Sequence, residues 1–159
     1  MGYVFLDSEY WTRTVGWIDE GPGGRDARWL YLWSWTNQHV NGATGIGRVS
    51  DGLAIRETGM TRGQYGRAKA WLVERGYVRF FAGDWLWVVR RGQHSLWTGE
   101  GPNVKLCQAA AHIIGQPDVP DEVRAAFLER YGGVLGQAKA WPRSTPKGDA
   151  KGLLFGSAG

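Results

Sequence analysis

At 159 residues, with 43% hydrophobic and 21% charged side chains, the chain has room for one domain with a real core plus appendages, and two independent domains would be cramped. The lone Cys107 excludes an intramolecular disulfide, and no apolar run reaches the roughly 18 residues that a membrane-spanning helix needs, so no membrane partner is expected. The net charge of +4 is uneven: −2 over residues 1–47, +5 over 48–91, −2 over 92–138 and +3 over 139–159, which directs a polyanionic partner to the second and fourth segments.

Ten tryptophans are many for this length, and most should be buried or half buried. The first residues carry acids early and lack a basic start followed by an apolar run, so they do not read as a secretory signal. Together with the single cysteine this fits a reducing cytoplasm. Residues 3–18 read as a short extended piece and then a short helix opened by Asp7 or Ser8. Residues 20–24, Glu-Gly-Pro-Gly-Gly, read as a turn or loop. From Arg25 to about Gln38, Trp29, Leu30, Leu32, Trp33, Trp35 and Thr36 cover more than half of a helix surface. That predicts a central core helix whose aromatics are packing and not a cofactor box. Residues 41–45 end it, and residues 46–49 can form a short strand.

Residues 50–89 carry the strongest pattern. A short helix through Leu53, Ala54 and Ile55 runs to Thr58 and Gly59, where glycine can take the left-handed conformation that ends a helix. Thr61 can then accept from the free amides of a second helix, with Gln64 placed to complete a capping box. The second helix should span about Arg62 to Arg75, with Tyr65, Ala68 and Leu72 on its inner face, and Gly76 stops it. Residues 77–81 and 85–89 flank Ala82-Gly83-Asp84 as the strands of a hairpin would. Helix, tight turn, helix and hairpin define a winged helix-turn-helix. The fold class read from the sequence is α+β, mainly α, with a small antiparallel wing sheet.

Beyond the hairpin, residues 93–102 read as loop. Asn103 can cap a helix from Val104 to Ile114, and Pro120 and Asp121 start another that the pair Gly132-Gly133 closes. These two extra helices should pack back on the winged domain, giving a unit of residues 1–135. Residues 136–159 form a flexible basic tail, too poor in apolar surface to order itself.

Opposite Tyr65, Ala68 and Leu72, the second helix presents Gly63, Gly66, Arg67, Ala70 and Glu74, flanked by Arg62 and Lys69. Each glycine costs a helix roughly 1 kcal/mol relative to alanine, so the pair asks for a reason. Either a groove wall approaches closely, or the helix start is merely marginal. Thr61, Arg62, Gln64, Arg67 and Lys69 are therefore the candidate contacts to double-stranded DNA, with Arg to guanine and Gln to adenine the favoured pairings. The alternative is a solvated basic face. Arg79, Arg90 and Arg91 of the wing are candidate phosphate contacts, while Asp84 at the tip opposes deep insertion. Trp85 and Trp87 should face partly into the core and partly outward; an exposed indole could stack on an unpaired base of single-stranded DNA.

No catalytic residue, metal site or cofactor is expected. His39, His94 and His112 lack ligand-like spacing with Cys107, and neither a phosphate loop nor a nucleophile motif is present. The sequence does not read as an enzyme.

In order, the segments Phe5-Leu6-Asp7-Ser8-Glu9-Tyr10-Trp11, Ala27-Arg28-Trp29-Leu30-Tyr31-Leu32-Trp33, Gly45-Ile46-Gly47-Arg48, Thr58-Gly59-Met60-Thr61, Gly76-Tyr77-Val78 and Trp85-Leu86-Trp87-Val88-Val89 resemble the N-terminal winged-helix domain of bacteriophage replication initiators, the replisome-organiser group. The likeness covers roughly residues 3–135. It implies binding at a phage origin in the bacterial cytoplasm and recruitment of host replication proteins, with residues 61–69 as recognition helix and 79–91 as wing. Lys69 stands where such relatives usually bury leucine. In the tail, Leu153, Leu154 and Phe155 resemble a motif that docks on the bacterial sliding clamp, a candidate partner contact. A phage transcription regulator acting as a homodimer is the alternative. A third reading is a winged helix used for protein contact, with Trp85, Trp97 and Trp141 as an apolar patch.

Overall fold

In the computed structural model residues 9–140 are described. The Phe5–Ser8 part of the resemblance, Trp141 and the tail residues Leu153, Leu154 and Phe155 lie outside them. Helix α1 spans Tyr10–Thr14 and continues as a 3-10 turn over Val15–Glu20; Glu9 occupies its cap position without a side-chain cap bond, so the helix opens later than Asp7 or Ser8 would set it. Helix α2 then spans Gly21–Thr36. The expected loop at residues 20–24 is thus the first turn of α2. Gly21 has φ +84°, and Pro22 sits in the first turn, where its missing N–H is no loss and its fixed φ suits a helix. Gly24 is required there, because a Cβ would lie 2.1 Å from the Trp17 carbonyl oxygen.

Strand β1, Ile46–Arg48, is followed by α3, Asp51–Thr58, and α4, Arg62–Glu74. Strands β2, Val78–Phe81, and β3, Trp85–Val88, follow, and the sheet is antiparallel in the order β1-β3-β2. The hairpin turns through Gly83 and Asp84, both left-handed at φ +79° and +64°. The segment after the hairpin is more ordered than a loop: it forms α5, Arg91–Ser95, and a small hairpin of β4, Trp97–Thr98, and β5, Gly101–Pro102. Helix α6 spans Val104–Ile114, capped by the Asn103 side chain, and α7 spans Asp121–Ala140.

Helix α7 passes straight through Gly132-Gly133, which the sequence reading made its end, and takes in residues 136–140 of the expected tail. Leu135 and Ala138 are buried beyond the glycines, so packing of the last turns outweighs the glycine penalty.

The sheet divides the core in two. Val78, Leu86 and Val88 face a cluster with Leu30, Tyr31, Tyr65, Ala68 and Leu72 of α2 and α4. Ile46, Trp85 and Trp87 face the other way, onto Phe127, Tyr131, Val123 and Cys107 of α6 and α7. All four residues of β3 are therefore buried, and the expected half-exposed strand face is absent. Trp85 and Trp87 alternate as read, but α6 and α7 cover the face that would have met solvent. In α2, conversely, Trp29 is half exposed and hydrogen-bonds through Nε1–H to the Thr58 carbonyl at 3.1 Å, so it is not core. These elements define a mainly helical α+β protein with a small antiparallel sheet.

Candidate nucleic-acid interface

Local hydrogen bonds place α4. Ser50 accepts from the Leu53 amide to open α3, and Gly59, at φ +70°, closes it with its N–H on the Ile55 carbonyl at 3.1 Å. Two residues later the Thr61 hydroxyl accepts from the Gln64 amide at 3.2 Å while Gln64 Oε1 accepts from the Thr61 amide at 2.9 Å. The capping box is complete, and it fixes where α4 begins relative to α3. Tyr65, Ala68, Trp71 and Leu72 turn inward, leaving Arg62, Gly63, Gly66, Arg67 and Ala70 exposed. A Cβ on Gly66 would meet nothing within 4 Å, and one on Gly63 would meet only the end of Arg67 at 4.0 Å. No contact inside the protein requires either glycine.

The candidate contacts fall into separate places. Thr61, Arg62, Gln64 and Arg67 gather at the start of α4. Gln64 gives its Oε1 to the capping box, where it accepts from the Thr61 amide, so its side chain is held at the helix start. Arg67 is more than half exposed and reaches back to Asp26 at 3.6 Å. The Lys69 charge is engaged within the protein: its Nζ lies 3.0 Å from Asp51 and 4.1 Å from the Phe80 ring centroid. Its stem fills the place of an apolar residue and its charge joins α4 to α3.

The cations of the hairpin and the segment after it separate further. Arg79 pairs in register with Trp87, so it stands on the sheet face opposite α4, its guanidinium 4.9 Å from the Phe81 ring. Arg90 is exposed and lies 4.8 Å over the Tyr77 ring, beside the C-terminal end of α4. Arg91 is a correction: it is 8% exposed, donates through Nη1 to the Trp35 carbonyl and through Nε to the Gly42 carbonyl at 3.4 Å. It therefore does not stand with the exposed cations of the hairpin as a contact to a duplex backbone. The backbone turns from strand into α5 at this point, which sends Arg90 outward and Arg91 inward. Of the proposed apolar patch, Trp85 is buried and Trp97 is 48% exposed, so the two do not share a surface.

Exposed cations that the sequence reading left aside include Arg25, Arg48, Arg56 and Arg75. Arg48 lies opposite Trp85 in the sheet register, 5.9 Å from its ring, and so on the Arg79 side. Periodicity cannot assign these positions, because their placement depends on how strands and helices pair.

Among the described residues no three His, Cys, Asp or Glu side chains gather as metal ligands, and no helix is long and apolar enough to cross a membrane. Cys107 is buried at 2% exposure, and that burial pushes its thiol pKa up, opposite to what a thiolate nucleophile needs. Set against known proteins, the chain matches no family model, no curated protein and no solved structure.

Proposed function

We propose that the chain is a winged helix-turn-helix protein that binds double-stranded DNA through the first half of α4, and that it serves as a replication initiator of the phage replisome-organiser kind. The observation that carries the DNA reading is the surface of α4 itself. Arg62 and Arg67 project beside Gly63 and Gly66, with open space before both glycines, on a helix whose start is held by a capping box. A groove wall can approach such a surface closely, and the helix N-terminus adds its own positive potential toward phosphate. Arg62 and Arg67 supply the long cations; Thr61 and Gln64 hold the helix start that aims them. The hairpin contributes less than a typical wing, since Arg79 faces away from α4 and Asp84 at the tip repels phosphate. The replication role rests on the ordered resemblance of residues 3–135.

Fluorescence anisotropy with labelled double- and single-stranded DNA at two salt concentrations tests the reading, for wild type and for Arg62→Ala with Arg67→Ala. Salt-dependent duplex binding that the double variant loses is expected. Duplex binding unchanged by both substitutions refutes it. Sequence selection then separates the roles: direct repeats fit an initiator, and inverted half-sites one turn apart fit a dimeric transcription regulator.

A further inference from the structure

Among the described residues Arg91 meets backbone carbonyls and no carboxylate, although it is buried. The Trp35 carbonyl that it meets belongs to the last turn of α2, whose dipole offsets part of the charge. Only two of the five N–H donors of a guanidinium are thereby used. Next to it, 5.1 Å from the guanidinium carbon, lies the ring of Trp35, 7% exposed, whose Nε1–H makes no hydrogen bond of normal geometry. That N–H turns toward the Tyr31 hydroxyl, enough to oppose slightly the rise that burial imposes on the Tyr31 pKa. The Trp87 indole is also unpaired, but it sits in the sealed core against Phe127. Trp35 differs because it lines two open clefts.

One cleft, of about 270 Å³, is walled by the rings of Trp17, Tyr31 and Tyr77 with Arg90 at its side. The other, of about 450 Å³, is lined by Arg91, Ser95 and Asn103. Trp35 and His94 line both, and among the described residues no carboxylate lines either. Burial lowers the His94 pKa first, and the charges of Arg13 and Arg90 lower it further, so the field at the junction is positive. Unused donors without acceptors select an acceptor-rich anion. Ring faces alongside select a planar group.

We propose that the two clefts, which share Trp35 and His94, bind one nucleotide unit, with its phosphate beside His94 between Arg90 of the first cleft and Arg91 of the second, and its base against the rings of Tyr31, Tyr77 and Trp17 of the first. A free mononucleotide and an unstacked nucleotide of a single strand share this chemistry. The site lies at the C-terminal end of α2, no residue of α4 lines it, and it stands independently of the duplex-binding reading.

Calorimetric titration of the full chain with AMP, adenosine and benzoate tests the proposal. AMP binds saturably at one site, adenosine and benzoate each at least tenfold more weakly, and Arg90→Gln weakens AMP at least tenfold with an unchanged circular dichroism spectrum. Because Arg90 is exposed, that variant keeps the test open even if Arg91→Met fails to fold. Arg62→Ala with Arg67→Ala leaves AMP binding unchanged, which separates this site from the α4 surface. Absence of saturable AMP binding, equal binding of adenosine or benzoate, or indifference to Arg90→Gln overturns the proposal. Displacement of a labelled six-nucleotide adenine strand by AMP supports the site with a single strand as its source; AMP binding without displacement supports it with the free nucleotide.

Discussion

The Tyr65 hydroxyl donates to Asp51 Oδ1 at 2.7 Å, joining the first turn of α4 to the first turn of α3. Lys69 reaches the same oxygen at 3.0 Å, so one carboxylate sets the angle between the two helices. Partial burial would raise the Asp51 pKa, but the Tyr65 and Lys69 hydrogen bonds and the charges of Lys69 and Arg62 hold it below its ordinary 3.8. A carboxyl with a depressed folded-state pKa contributes stability that is present above its unfolded value and lost as pH falls through the folded one. Wild type therefore loses stability in the window at and below about pH 3.8, and Asp51→Asn flattens that part of the curve. Denaturant midpoints across pH 2.5–6 check this. Tyr65→Phe costs about 1 kcal/mol at neutral pH, since half-exposed Asp51 regains water in place of the lost bond.

On the proposed DNA-binding reading, Asp26 competes with phosphate for Arg67. At 3.6 Å and with Arg67 more than half exposed, the pair itself adds little to stability. Asp26→Asn therefore leaves thermal stability nearly unchanged and strengthens DNA binding, because it removes an acid beside the interface. Anisotropy titrations of Asp26→Asn and Arg67→Ala against one duplex check the sign: the first tightens and the second weakens.

Gly66 separates a helix optimised for stability from one shaped for a partner. With open space at its Cβ position, Gly66→Ala stabilises the protein by about 0.5–1 kcal/mol. The same methyl group holds the helix away from a groove wall, so duplex affinity falls while the melting temperature rises. A rise in both measurements assigns Gly66 to a solvated face.

Phe127 is fully buried against Trp87, their ring centroids 6.0 Å apart, where α7 covers the sheet. Phe127→Ala costs about 3–5 kcal/mol and exposes the outer sheet face, so the variant unfolds at lower denaturant and binds a hydrophobic dye. An unchanged midpoint would mean that α6 and α7 contribute nothing to the stability of the sheet.

Local chemistry was legible in the residues. Gly59, Thr61 with Gln64, Gly76 and Asn103 act through bonds that close within a few positions, so their spacing alone determines the end of α3, the turn, α4 and the start of α6. The inner face of α4 and the hairpin follow from periodicity for the same reason. What crosses the chain was decided by tertiary structure. Residues 21–24 become helix because Gly24 lets α2 touch the Trp17 carbonyl, and α7 continues past Gly132-Gly133 because Leu135 and Ala138 find a buried surface on the second core cluster. The fate of each cation was decided there too. Arg90 and Arg91 are neighbours of one type, yet one is exposed and one is enclosed beneath α2, because burial depends on where the end of a distant helix lies and no run of neighbouring residues encodes that position.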